Sequence, residues 1–193
     1  MNERPWCNRL EKALESSSDD PKVRFVQLAT VTPDGKPANR TLVFRGFLEG
    51  SAALTFVTNA YSQKVQQLQT RPHAALCWYF TKQRQQFRIT GKMAPVTADD
   101  ADSELLTARQ AAWSVLSESV RRQFFWPIPR APRAKTAAFD VDVPSTEGPP
   151  ENFVLLVLTP SLVDFLDIAQ MPHERIIYQL QPSGTWTIEA VNP

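Results

Sequence analysis

Residues 23–47 read VRFVQLATVTPDGKPANRTLVFRGF, and this stretch determines the kind of fold to expect. Val23–Thr32 is rich in β-branched and apolar side chains, and so is the segment from Ala38 to Phe47. Such residues favour strands. The intervening Thr32-Pro33-Asp34-Gly35 is a turn signal, because proline presets φ and glycine accepts a positive φ. The stretch therefore predicts an antiparallel β-hairpin.

The remainder of the chain continues this alternation of short strands and turns. Helices are predicted over residues 5–17 and 62–70, and in pieces from 97 to 125. Further strands are predicted at Ala53–Thr58, His73–Phe80, Gln85–Val96, Phe153–Leu158, Leu162–Ile168, Arg175–Leu180 and Trp186–Val191. Short strands joined by hairpins pair antiparallel, and closure into a barrel removes exposed edges. The expected fold class is mainly β with α (α+β), an antiparallel barrel with helices outside it.

Residues 126–150 form a proline-rich stretch that predicts a long loop. Six prolines lie there, at positions 127, 129, 132, 144, 149 and 150, and they oppose packed regular structure. The loop is either a lid or a surface arm. About 40 residues follow it, too few for an ordinary independent domain. We therefore expect one domain over residues 1–193, with its N-terminal helix within residues 1–20.

Composition excludes several classes of protein. The 193 residues include only six glycines, and none has the spacing of G-x-G or of the phosphate loop G-x-x-x-x-G-K. Rossmann, Walker A and kinase loops are therefore excluded, and side chains must hold any bound phosphate. The formal net charge of +1 gives no strong field for nucleic acid or a membrane surface.

Apolar runs and cysteine usage predict a cytoplasmic protein. Apolar runs such as Phe153–Leu158 are far too short for a membrane span, and residues 1–5 show no signal-peptide core. Cys7 and Cys77 form no C-x-x-C motif, and Cys77 is expected to be a buried free thiol. With two histidines in the chain, no metal site is expected.

The first candidate motif is PANRTLVFR, residues 37–45. An arginine in an apolar strand is costly to bury unless it meets an anion or a carboxylate. Strand alternation predicts that Arg40 and Arg45 point to opposite faces. The same residues also fit an edge strand that leaves both arginines in solvent.

The second motif is TNAYSQK, residues 58–64, where a strand ends and a helix begins near Ser62. A helix N-terminus offers free N–H groups and positive partial charge, to which Ser62 adds a hydroxyl and Lys64 a cation. This predicts a phosphate site that needs no glycine. The alternative is an ordinary capping serine beside a solvated lysine.

The third motif is RQQFRITGK, residues 84–92. Gln86, Arg88 and Thr90 share one face of a strand, opposite Phe87 and Ile89. An inward-facing glutamine amide offers a donor and an acceptor, which suits the edge of a heteroaromatic ring. Otherwise this is a polar face in solvent.

In this order, the three motifs resemble those of the pyridoxamine 5'-phosphate oxidase-like FMN-binding split barrels. VDFL at 163–166, HERIIY at 173–178 and Trp186 are similar to the closing strands of that family. The elements WSVLS at 113–117 and FWP at 125–127 are similar to an oxidase-related subgroup. The resemblance covers roughly residues 20 to 193 and implies a split barrel that binds FMN.

The resemblance also implies roles for individual residues. Arg40, Ser62 and Lys64 would bind the FMN phosphate, and Gln86 would meet the isoalloxazine edge. Backbone groups would line the flavin at Thr41, Leu42, Val43, Val57 and Thr58. Ser119 would touch the cofactor. Arg175 would approach it from a partner subunit, because the family's sites lie at a homodimer interface.

Several positions depart from the oxidase pattern on the substrate side. Met171 stands where the oxidase has a substrate-contacting arginine, and Leu166 stands where it has a tryptophan beside the flavin. Residues 102–106 do not match the residues with which the oxidase binds the substrate phosphate, so Arg45 is the basic residue left on that side. His173 is the titratable candidate for catalysis.

The expected function is therefore that of a cytoplasmic, homodimeric FMN-dependent oxidoreductase acting on a small molecule other than the oxidase's own substrate. One alternative is a flavin-binding sensor or carrier without turnover. Another is a haem-handling split barrel with Met171 and His173 as ligands, although Arg40, Ser62 and Lys64 would then lack a purpose.

Overall fold

The computed structural model describes residues 4–144 and 148–193 and consists of a nine-stranded antiparallel sheet with helices outside it. Its helices are α1 (Cys7–Glu15), α2 (Gln63–Thr70), α3 (Ser103–Ser114) and α4 (Glu118–Arg122). Its strands are β1 (Phe25–Val31), β2 (Pro37–Val43), β3 (Gly46–Phe47), β4 (Leu54–Asn59), β5 (His73–Phe80), β6 (Gln85–Val96), β7 (Phe153–Asp167), β8 (Glu174–Leu180) and β9 (Trp186–Val191). The sheet curls into a split barrel, which confirms the predicted fold class.

The predicted hairpin forms, with Phe25 opposite Val43 and Val31 opposite Pro37, and Gly35 at the turn has φ +87°. Its second strand is shorter than the predicted 38–47. The chain leaves β1 after Val43, and the Arg45 N–H donates to the carbonyl of Thr55 on β4 at 2.9 Å. Gly46 then turns the chain at φ +133°. Arg40 and Arg45 therefore do not lie on one regular strand, and strand alternation does not determine which faces their side chains occupy.

Strand β7 is one strand, whereas the sequence predicted two strands separated near Pro160. The pairing with β6 shifts register between Thr90 and Gly91. A Cβ at Gly91 would lie 2.0 Å from the carbonyl oxygen of Thr159, so only glycine admits this close approach. The proline sits at the irregularity, where a missing N–H is tolerated, and the strand continues through it.

The length of β7 organises the barrel. β6 pairs along it from Asp167 back to Leu155, while β4 covers the first half of its other edge and β8 the second half. The core lies inside this curl, where Trp6 is fully buried within 6.2 Å of the Trp186 ring. The N-terminal helix therefore seals the barrel beside the closing strands.

The two cysteines are both free, but their burial differs from the prediction. Cys7, the first residue of α1, is buried in the core, whereas Cys77 on β5 is partly exposed. Strand alternation explains the difference, because Leu76 and Trp78 on either side of Cys77 point into the core.

The proline-rich segment folds against the barrel. Thr136–Phe139 forms a 3₁₀ turn, and the rings of Trp126 and Phe139 meet edge to face at 5.7 Å. Of the predicted loop 126–150, residues 145–147 lie outside the described residues. In the part of the chain that the structure describes, no helix has the length and apolar character needed to cross a membrane.

Candidate cofactor site

A cavity of about 620 Å³ opens where β2 and β4 end beside α4 and the proline-rich segment. This volume lies within the usual range for small-molecule sites. The sheet contributes to its wall Thr41, Leu42, Val43, Arg45, Val57, Thr58 and Asn59. All five backbone positions expected around the flavin are therefore brought together here, with Lys64 of α2 beside them.

Lys64 is held against the end of β4. Its Nζ donates to Thr58 Oγ1 at 2.9 Å and to Ser62 Oγ at 2.5 Å. Burial, and then the positive charge of Arg40, lower the pKa of Lys64 from 10.5 to about 8. Ser62 caps α2 in an extended conformation and its side chain makes no capping hydrogen bond. Its hydroxyl instead accepts from the lysine, unlike in an ordinary serine cap.

Arg40 lies on β2, directly behind this lysine. It donates to the hydroxyl of Thr30 and, at 2.9 Å, to Gln67 Oε1. The Thr30 hydroxyl itself donates to Gln67 Oε1 at 2.6 Å, so β1, β2 and α2 meet at the guanidinium. Burial lowers the pKa of Arg40.

No carboxylate neutralises this pair of cations. Among residues 4–144 and 148–193, neither Arg40 nor Lys64 takes part in a salt bridge. Two neighbouring, partly buried positive charges disfavour each other unless an anion joins them. Their position at the N-terminus of α2 adds free N–H groups. The site therefore suits the phosphate of FMN, with the adjoining cavity for the ring system.

Arg40 and Ser62 neighbour Lys64 but do not themselves line the cavity, and neither do the remaining predicted cofactor residues. Gln86 on β6 accepts from the Cys77 thiol at 3.7 Å. Arg175 on β8 donates to both carboxylate oxygens of Asp164, at 3.1 and 2.8 Å, and Arg88 donates to the same group. Burial raises the pKa of Asp164, but hydrogen bonds from the two arginines hold it below its ordinary value.

His173 and Ser119 are also outside the cavity wall. The His173 Nδ1 is 2.8 Å from the carbonyl oxygen of Gln170, in the connection between β7 and β8. The Ser119 hydroxyl is 3.1 Å from that of Ser117 at the start of α4. In the described residues, no group of three His, Cys, Asp or Glu side chains is placed to hold a metal.

The sequence left open whether the proline-rich segment is a lid or a surface arm and singled out none of its residues, and in the structure it forms the outer wall of the cavity. Trp126, Arg130 and Arg133 all line it. Arg130 donates to Gln63 in the first turn of α2 and has φ +69°, a conformation that non-glycine residues rarely adopt. The available signal was the run WPIPRAPR, where an aromatic and two basic residues are spaced by prolines.

Comparison with known proteins identifies the class. The family model for the pyridoxamine 5'-phosphate oxidase FMN-binding domain matches residues 3–97. Pyridoxine/pyridoxamine 5'-phosphate oxidase 2 of Arabidopsis thaliana is 34% identical over 194 residues, covering 98% of this chain and 97% of its own. PhzG from Burkholderia lata shares the fold, with a TM-score of 0.79 at 19% identity over 100% of this chain and 94% of its own. The protein is thus an FMN-binding split barrel.

A solved structure from Nostoc punctiforme is more similar. This pyridoxamine 5'-phosphate oxidase-related, FMN binding protein is 42% identical, with a TM-score of 0.97 and full coverage of both chains. The chain belongs to the pyridoxamine 5'-phosphate oxidase family of FMN-binding domains, and its cofactor is FMN.

We expect Lys64 to titrate near pH 8 in FMN-free protein. Arg40→Gln should move the pKa of Lys64 part of the way back towards 10.5, because it removes a neighbouring positive charge. NMR of ¹³C-labelled lysine side chains measures this titration. Arg175→Gln is the control and should leave Lys64 unchanged. A Lys64 pKa near 10.5 in the unaltered protein would contradict the buried cation pair.

Proposed function

We propose that this protein is a homodimeric FMN-dependent oxidoreductase whose small-molecule substrate differs from that of pyridoxamine 5'-phosphate oxidase. The observation that carries the proposal is the pair Arg40 and Lys64, which has no salt-bridge partner in the described part of the chain and lies beside a cavity of about 620 Å³. The relatives named as oxidases support the class of reaction.

Within the site, Arg40, Ser62 and Lys64 hold the FMN phosphate through charge-assisted hydrogen bonds. Backbone groups of residues 41–43, 57 and 58 orient the ring system. Bound FMN supplies hydride-transfer chemistry, and the protein supplies binding, orientation and electrostatic tuning. Trp126 and Arg130 of the proline-rich segment cover the open side and limit access of water.

The homodimer accounts for the residues that one chain leaves outside the cavity. Gln86, Ser119, His173 and Arg175 contact the flavin or substrate only if a second copy brings them to it. Asp164 fixes the guanidinium of Arg175 in one orientation before assembly, which lowers the entropy lost on contact.

The two free cysteines suit a reducing cytoplasm.

The residues expected near the substrate favour a reactant other than pyridoxamine 5'-phosphate. Met171 is 83% exposed and can neither donate a strong hydrogen bond nor carry charge. Asp102 is used to cap α3, where it accepts from the N–H groups of Glu104 and Leu105. Arg45 lines the cavity and is the cation that we assign to the substrate, and His173 is the group available to move a proton near the ring.

FMN should bind more tightly than riboflavin, because only FMN presents a phosphate to the cation pair. The preference should be at least about tenfold at pH 7.5, equivalent to ~1.4 kcal/mol. It should shrink as the pH rises above 8, because Lys64 of the free protein loses its proton there and must regain it on binding. Fluorescence titrations with both flavins between pH 7 and 9.5 measure this. Equal affinities would exclude the phosphate site.

Within these titrations, Arg40→Ala should weaken FMN binding by about 1.5–3 kcal/mol, the usual effect of losing a charged hydrogen-bonding partner. Riboflavin affinity should change little. Arg45→Ala is the matched control, since Arg45 lines the cavity but, unlike Arg40, is not among the charges that lower the pKa of Lys64. Comparable losses for the two variants would contradict the assignment of the phosphate to Arg40.

FMN-loaded protein should show little oxidase activity on pyridoxamine 5'-phosphate. Met171 supplies no charge where the oxidase pattern has an arginine, so a dianionic substrate phosphate keeps part of its desolvation penalty. Steady-state peroxide production measures the activity, and anaerobic reduction of the flavin by other donors separates an oxidoreductase from a carrier. Turnover of about 1 s⁻¹ or more on pyridoxamine 5'-phosphate would contradict the prediction.

A further inference from the structure

A second cavity, of about 750 Å³, lies between α3 and the β3–β4 hairpin. Its wall combines Arg45 and Glu49 on one side with Asp102, Glu104 and Ala108 of the α3 region on the other. Arg45 lines this cavity and also the candidate cofactor cavity. A ligand held by Arg45 in the second cavity would therefore lie next to the flavin.

Arg45 carries hydrogen-bonding capacity that the protein itself does not use. Its Nε is buried and has no hydrogen-bond partner among the described residues. Arg45 also forms no salt bridge within those residues, although Glu49 and Glu104 line the same cavity. Burial and the nearby charge of Arg24 lower the pKa of Arg45. An anionic ligand would satisfy this guanidinium.

The remaining charges of the cavity select the kind of anion. Glu49 and Glu104 are exposed acidic residues, and Asp102 adds a third carboxylate at the N-terminus of α3. Three carboxylates around one cation oppose a dianionic phosphate more strongly than a monoanion. A carboxylate also matches the planar guanidinium in a two-point hydrogen bond.

The floor of the cavity is apolar. Ala108 and Ala112 of α3, with Leu105, pack in one cluster with Leu155 of β7, and Leu48 borders the same cluster. The small alanine side chains leave room for a flat or bulky apolar body. Such a floor favours a ligand that buries hydrocarbon, because burial of apolar surface contributes most of the binding free energy.

We propose that this second cavity binds an apolar or aromatic monocarboxylate, whose carboxylate contacts Arg45 and whose body packs on α3. This proposal rests on the proposed function and specifies its substrate class: a carboxylic acid without a phosphate, held beside the FMN site. Arg45 is the residue that determines specificity, and Glu49 and Glu104 reject more highly charged analogues.

The test uses FMN-loaded protein and three probes: benzoate, 1-naphthoate and phenyl phosphate. Calorimetry measures binding, and perturbation of the flavin absorption bands reports proximity to the ring. We expect 1-naphthoate to bind most tightly and phenyl phosphate most weakly. Arg45→Met should lower the affinity for 1-naphthoate at least about tenfold, a loss of ~1.4 kcal/mol, while the variant still takes up FMN.

Two further variants locate the ligand. Ala108→Phe should fill the cavity and weaken 1-naphthoate binding, and Glu104→Gln should raise the affinity for phenyl phosphate. Absence of saturable carboxylate binding to FMN-loaded protein, or unchanged binding to Arg45→Met, would overturn the substrate class alone. Failure of the unaltered chain to take up FMN would instead overturn the proposed function.

Discussion

Two neighbouring positive charges, neither in a salt bridge within the described residues, are the feature on which the site depends. Arg40 is held by Thr30 of β1 and Gln67 of α2, and Lys64 by Thr58 of β4. Burial, and then the charge of Arg40, lower the pKa of Lys64. A bound phosphate anion favours the charged form of the lysine, so the same burial that disfavours the cation in the free protein strengthens its contact with FMN.

The barrel makes this pairing of cations possible through its long strand. β7 pairs with β6 along one edge and with both β4 and β8 along the other. One strand therefore fixes the position of β4, which borders the cavity, relative to β8, which carries Arg175. Asp164 lies on the same strand and orients Arg175. The homodimer that we propose needs this rigidity, because each copy must present its residues in a fixed relation to the other.

The sequence predicted well those features that depend on local chemistry. The turn Thr32–Gly35 and the alternation about Gln86 are set by neighbouring residues, and both appear as expected. Pro160 misled the prediction, because a proline that breaks an isolated strand is accommodated here by the absence of a side chain at Gly91, about 70 residues away. Such a contact between distant positions leaves no local signal.

In the candidate site, too, the residues set by local sequence were predicted and those positioned by long-range packing were not. Ser62 and Lys64 belong to one short motif, and the structure places them together. The contribution of Arg130 was missed, since its segment has no regular pattern and is positioned only by packing against α2 and the cavity. Met171 and Leu166 indicated from sequence that the substrate differs, while the cavity beside Arg45 became visible only once α3 was placed against the sheet.

The most direct test of the account is the ionisation of the FMN phosphate in the complex, followed by ³¹P NMR as the pH is varied. A phosphate monoester ordinarily has its second pKa at about 6. Held between Arg40, Lys64 and the α2 N-terminus, the bound phosphate should remain dianionic well below that pH, and its resonance should stay constant from about pH 8 to 5.5. A bound resonance that titrates with a pKa of about 6 would show that the two cations do not hold the phosphate.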